Sequence, residues 1–60
     1  MFEIFVNDKL IAKTYEYSLA NDYIYTTIRN YCSGIGEPNK EYTIRLFEDR
    51  QMIKEINFSY

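Results

Sequence analysis

Sixty residues with one cysteine and no histidine leave room for one domain, and they exclude an intrachain disulfide, a Cys/His zinc site and any histidine-dependent triad. Seven basic residues against nine acidic ones give a net charge of -2, which argues against the basic balance of most nucleic-acid-binding domains. An apolar fraction of 47%, including seven tyrosines and four phenylalanines, is too high for a disordered chain, so a single folded domain over 1–60 is expected.

A chain of this length buries only about 60% of the surface that its unfolded form exposes. Such domains lean on a disulfide, a metal, a partner or a second copy. With disulfide and zinc removed from that set, a homodimer or a protein partner gains weight. No apolar run approaches the roughly 20 residues of a membrane span, and no membrane role is expected. The start of the chain lacks a basic region, and Glu3 and Asp8 interrupt its apolar residues, so it does not read as a signal peptide. A lone thiol suits a reducing compartment. The expected location is the cytoplasm, that of a host cell if the protein is phage-encoded.

Phe2–Val6 reads as the first strand, with Phe2, Ile4 and Val6 on one face. Asn7-Asp8-Lys9 reads as a three-residue turn, and Leu10 to about Tyr17 as the second strand. That loop sets Val6 opposite Leu10, Phe5 opposite Ile11, Ile4 opposite Ala12 and Glu3 opposite Lys13, matching faces. Ser18 is the expected helix N-cap, with Asp22 near the first turn. Ala20, Ile24, Thr27, Ile28 and Tyr31 form the apolar stripe, Tyr23 lies beside them, and Asn21, Tyr25, Arg29 and Asn30 face away. Gly34 reads as the C′ glycine. Gly36 to Lys40 is a loop, Glu41–Phe47 the third strand, Glu48-Asp49-Arg50 a turn, and residues 51 to about 58 the fourth strand. Met52, Ile53, Ile56 and Phe58 do not keep strict parity, which calls for one extra residue in that strand, a bulge.

The fold expected is α+β, in the order ββαββ: a four-stranded sheet with one amphipathic helix on one face. The hairpins resemble each other, Phe2-x-Ile4-x-Val6 matching Tyr42-x-Ile44-x-Leu46 with one insertion further on, as any two amphipathic hairpins can. If strands 1 and 4 lie central and parallel, the layout is similar to the β-grasp fold in element order.

No constellation carries catalysis. Cys32 falls at a helix C-terminus, where the dipole disfavours a thiolate. Glu48-Asp49 reads as a solvated turn. Ser33-Gly34-Ile35-Gly36 follows a helix, whereas a phosphate-binding glycine loop follows a strand. Neither an enzyme nor a cofactor is expected.

Binding is the stronger expectation. With Phe2, Ile4, Val6, Leu10 and Ala12 toward the helix, the other sheet face carries Phe5, Ile11 and Tyr15, flanked by Glu3, Lys13 and Tyr17, with Arg45 and Phe47 from the third strand. A one-sided sheet normally shows polar residues there. Phe5, Ile11, Tyr15, Tyr17, Arg45 and Phe47 are therefore the candidate partner or dimer surface, unless they serve only as cross-strand pairs. In character the chain looks like the small accessory proteins of phages and mobile elements. That resemblance implies a stoichiometric inhibitor of a host enzyme or defence complex, such as an anti-CRISPR or other anti-defence protein. The alternative is single-stranded nucleic-acid binding by aromatics beside Arg and Lys, and the acidic balance argues against nucleic acid as a partner.

Overall fold

The computed structural model describes all 60 residues, Met1–Tyr60. Four strands and one helix follow in the order β1 (Phe2–Val6), β2 (Lys9–Thr14), α1 (Tyr17–Asn30, continued by a wide turn Tyr31–Ile35), β3 (Tyr42–Glu48) and β4 (Gln51–Phe58). The strands form one sheet in the order β2-β1-β3-β4. Every neighbouring pair is antiparallel. The α+β architecture, with one helix on one sheet face, is as the residue patterns predict.

The core is the interface between sheet and helix. Phe2, Ile4 and Val6 of β1, Tyr42, Ile44 and Leu46 of β3, and Ala20 and Ile24 of α1 are buried together, with Ala12, Ile28, Tyr31, Ile56 and Phe58 packed around them. The period of two in the strands and the i, i+4 pair in the helix put these residues on facing surfaces. At one end of this layer Tyr31, Tyr42 and Phe58 make an aromatic cluster, Tyr31 lying edge-on to Tyr42 at 4.9 Å. The Tyr42 hydroxyl accepts the Glu37 N–H at 2.8 Å, and the Tyr60 hydroxyl donates to the Gly36 carbonyl.

The β-grasp-like layout does not occur: β1 pairs with β3, antiparallel, and β4 is an edge. The reason lies in the bulges. Both β2 and β4 carry an irregularity against their partners, whereas the β1–β3 pairing is unbroken. A bulge leaves backbone groups unpaired, which solvent satisfies at a sheet edge and a core does not. The two regular strands therefore take the centre.

The turns are tighter than the three-residue reading predicts. Asn7 and Asp8 both have positive φ (46° and 68°), as do Asp49 and Arg50 (49° and 71°). Two consecutive left-handed residues define the type I′ hairpin turn, whose twist matches that of the strands. Val6 consequently pairs with Lys9 and Phe5 with Leu10, not with Leu10 and Ile11. Ile11 is the extra residue that restores the Ile4–Ala12 and Glu3–Lys13 pairs. In the second hairpin Ile53 has the same place, between Phe47–Met52 and Leu46–Lys54, so the expected bulge is present.

The hairpins correspond without the expected insertion. Each residue of the first matches the one 42 positions later, from turn (7 to 49) to bulge (11 to 53). The β1–β3 pairing obeys the same relation. Ile4 faces Leu46 at its centre, and Phe2–Glu48 is matched by Ile44–Val6. The sheet thus has a local two-fold axis between Ile4 and Leu46. Even the polar clamps repeat. The Asn7 N–H donates to the Thr43 carbonyl, and its Oδ1 accepts the Thr43 N–H, both at 3.0 Å. The Asp49 N–H donates to the Met1 carbonyl at 3.1 Å, and its Oδ1 accepts the Met1 ammonium at 3.0 Å. An Asn or Asp at the first turn position is what supplies that side-chain oxygen.

The helix also begins differently. Its N-cap is Glu16, and Ser18 lies inside it, so Asp22 falls beyond the first turn. The Glu16 N–H donates to Thr14 Oγ1 at 3.2 Å, ending β2 three residues before the expected Tyr17. Tyr17 then packs on Phe2 with ring centroids 5.5 Å apart, under the Lys54 ammonium. Docking an aromatic ring outweighs a hydroxyl cap worth about 1 kcal/mol. At the other end Gly34, the expected C′ glycine, lies inside the wide turn with φ 142°, a positive value that glycine adopts without a Cβ penalty. Gly36 is needed for space, since a Cβ there would lie 3.0 Å from the Tyr31 carbonyl oxygen.

Candidate interaction surface

The sheet face turned away from the helix is built from two rows of side chains. One row, across all strands, is Leu10, Phe5, Arg45 and Glu55, and the next is Lys13, Glu3, Phe47 and Met52. The apolar half of each row lies at opposite ends, so the apolar residues run diagonally across the face. Phe5 and Phe47 meet at its centre, edge to face, with centroids 5.3 Å apart. The bulge residues Ile11 and Ile53 extend the diagonal at its ends.

This stripe is open to solvent. Leu10, Ile11, Met52 and Ile53 are 39, 38, 48 and 43% exposed, and none belongs to the helix-side core. A bulge turns two successive side chains toward one side of the sheet. That is how Leu10 with Ile11, and Met52 with Ile53, reach the same face. Charges occupy the two remaining corners. Arg45 Nε donates to Glu55 Oε1 at 2.8 Å and Nη1 to Asp8 Oδ1 at 2.6 Å. The Glu55 hydrogen bond is the main cause that pushes the Arg45 guanidinium pKa upward, with both carboxylates adding to it against some desolvation. Glu3 and Lys13 stand opposite each other in the other corner.

Of the residues predicted from sequence, Phe5, Ile11, Arg45 and Phe47 come together here. Tyr15 does not: it follows the end of β2 and is 80% exposed in the bend before the helix. Tyr17 lies on the opposite side, as the first residue of α1 against Phe2. Both depart from the expected face because β2 ends at Thr14, short of Tyr17. Leu10, expected in the core, is on this surface, and Met52 and Ile53 join it. The signal for all three was the pair of two-residue turns followed by adjacent apolar residues.

The helix offers a thinner surface of Leu19, Tyr23 and Tyr25, all exposed. Tyr31 is not part of it, being packed on Tyr42 and Phe58. Cys32 is exposed. No helix is long and apolar enough to cross a membrane.

Comparison with protein-family models, curated proteins and solved structures finds no match.

Proposed function

We propose that the chain is a small, non-catalytic protein-binding module whose working surface is the open face of the sheet. In this reading it is a phage or mobile-element accessory protein in the host cytoplasm, inhibiting a host enzyme or defence complex by stoichiometric binding. The observation that supports it is the diagonal of Phe5, Phe47, Leu10, Ile11, Met52 and Ile53 on the solvent side of the sheet. Exposed apolar patches with a charged rim mark interaction sites. Phenylalanine, methionine and arginine are enriched in the centres of protein interfaces. A single-stranded nucleic-acid platform would want free cations beside its rings, and here Arg45 is held by Asp8 and Glu55.

The test is expression of the chain in bacteria that each carry one defence system, scored by phage plaquing. The reading expects relief of at least one system by the wild-type chain and loss of that relief in a folded Phe47→Asp/Ile53→Asp variant. Purified chain should then inhibit the relieved complex with a sharp equivalence point. Relief that survives the double variant overturns the assignment of the surface, and no relief of any system overturns the inhibitor reading.

A further inference from the structure

We propose that in the free protein the open face is occupied by a second copy of the chain, forming a two-fold symmetric dimer of sheets. The inference shares its surface with the function proposed above and adds what covers that surface before a partner arrives.

Three observations support a second copy. The first is charge. The local two-fold that relates the hairpins exchanges Glu3 with Arg45 and Lys13 with Glu55, each time inverting the sign. Two copies laid face to face about an axis along the apolar diagonal keep Phe5, Phe47 and the bulge residues over one another. They also place each Arg45 over the Glu3 of the other copy and bring Glu55 to the side of Lys13. Axes along or across the strands set the aromatics on charges instead. The diagonal axis crosses the strands of the two sheets steeply, which is the orthogonal class of sheet packing.

The second is area. Four strands about 4.8 Å apart and about six residues long give a face of roughly 19 by 20 Å, before the corrugation of its side chains is added. A standard interface takes about 800 Å² from each partner. Of the chain's 4247 Å² that is about a fifth, and about twice the flat area of this face, so only a dimer that covers the whole face, side-chain relief included, reaches that size. The third is the core, which has only eight buried residues, with a single free cysteine and no cluster of metal-ligating side chains to support it. Covering the diagonal gives each copy a second apolar layer.

The experiment is sedimentation equilibrium on the wild type, Glu3→Arg, Arg45→Glu and their 1:1 mixture, with folding followed by circular dichroism. The wild type should show a dimer of twice 7.3 kDa. In either single variant both symmetric contacts become like-charged, and the dissociation constant should rise on the order of a hundredfold. In the mixture one chain offers Arg at both positions and the other Glu, so the heterodimer forms although neither homodimer does. Recovery on mixing separates an interface effect from a folding defect. A monomeric wild type, or a mixture that stays monomeric while the wild type dimerises, overturns the inference. Because relief of defence is scored separately, a dimer without relief leaves the inference standing and removes the inhibitor reading, and a monomer with relief does the reverse.

Discussion

Arg50 is the position where the chain carries backbone strain without a compensating contact. It holds φ 71° as the second residue of the β3–β4 turn, and its side chain makes no hydrogen bond or ion pair. A residue with a Cβ in the left-handed region costs about 1–2 kcal/mol. Glycine removes that cost and loses about 0.5–1 kcal/mol through the greater freedom of its unfolded chain. Arg50→Gly should therefore stabilise by about 0.5–1 kcal/mol. For a domain of this size that corresponds to a rise in Tm of about 2–8 °C. The equivalent change at Asp8 would be less clean, because Asp8 also pairs with Arg45. Arg50→Val is the control: a β-branched residue is disfavoured there, and it should lower stability by a similar amount. The assay is urea and thermal unfolding by circular dichroism at several protein concentrations, so that any contribution from self-association is separated. A neutral or destabilising Arg50→Gly, or a tolerated Arg50→Val, would refute the type I′ reasoning and with it the register of the open face.

Four further outcomes follow from the same structure. Ile24→Ala should cost about 2–5 kcal/mol, a large part of the 3–9 kcal/mol expected of 60 residues, and urea titration of the variant checks it. Asn7→Ala and Asp49→Ala should each cost about 1 kcal/mol and by similar amounts, since they remove the same clamp on opposite sides of the local two-fold; a large effect at one and none at the other would contradict that symmetry. In an ultraviolet titration Tyr17 should ionise below the ordinary phenol range, through its hydrogen bond to Asn21 and then Lys54, and Tyr60 above it, chiefly through burial. Tyr60 favours the phenol form in the fold, so its contribution is present below the ordinary phenol pKa of about 10 and is lost as the pH rises through its elevated value; Tyr60→Phe should remove the late phase. Tm should also rise with protein concentration if the open face self-associates, and an invariant Tm would count against the dimer.

The parts of the fold legible from sequence are those set by a single periodicity. Phe2-Ile4-Val6 and Tyr42-Ile44-Leu46 alternate without interruption, and Ala20, Ile24 and Ile28 repeat at helical spacing, so β1, β3 and the buried stripe of α1 were all readable. What alternation does not encode is a change of phase. Ile11 and Ile53 each shift the parity of a strand by one, which moved Leu10 from the expected core to the open face. The imperfect parity of Met52 and Ile53 did announce the second bulge. The first was hidden because Asn7-Asp8-Lys9 could be a three-residue loop with matched faces. Strand order was not legible, because the rule that bulged strands go to edges needs both bulges and only the second shows in the sequence. Tyr15 and Tyr17 leave the expected strand because β propensity does not encode the Thr14 hydroxyl accepting the Glu16 N–H, or the Phe2 ring that draws Tyr17 to the helix side. The place of Phe5, Arg45 and Phe47 on the open face follows from the alternation of β1 and β3 alone.

The proposed function puts the protein's binding on the sheet face and not on the helix. The most direct measurement compares two folded double variants in the plaquing assay, Phe47→Asp/Ile53→Asp on the sheet and Tyr23→Asp/Tyr25→Asp on the helix. The account predicts that relief of the defence system is lost in the sheet variant and kept in the helix variant. Loss in the helix variant with full relief by the sheet variant would contradict it.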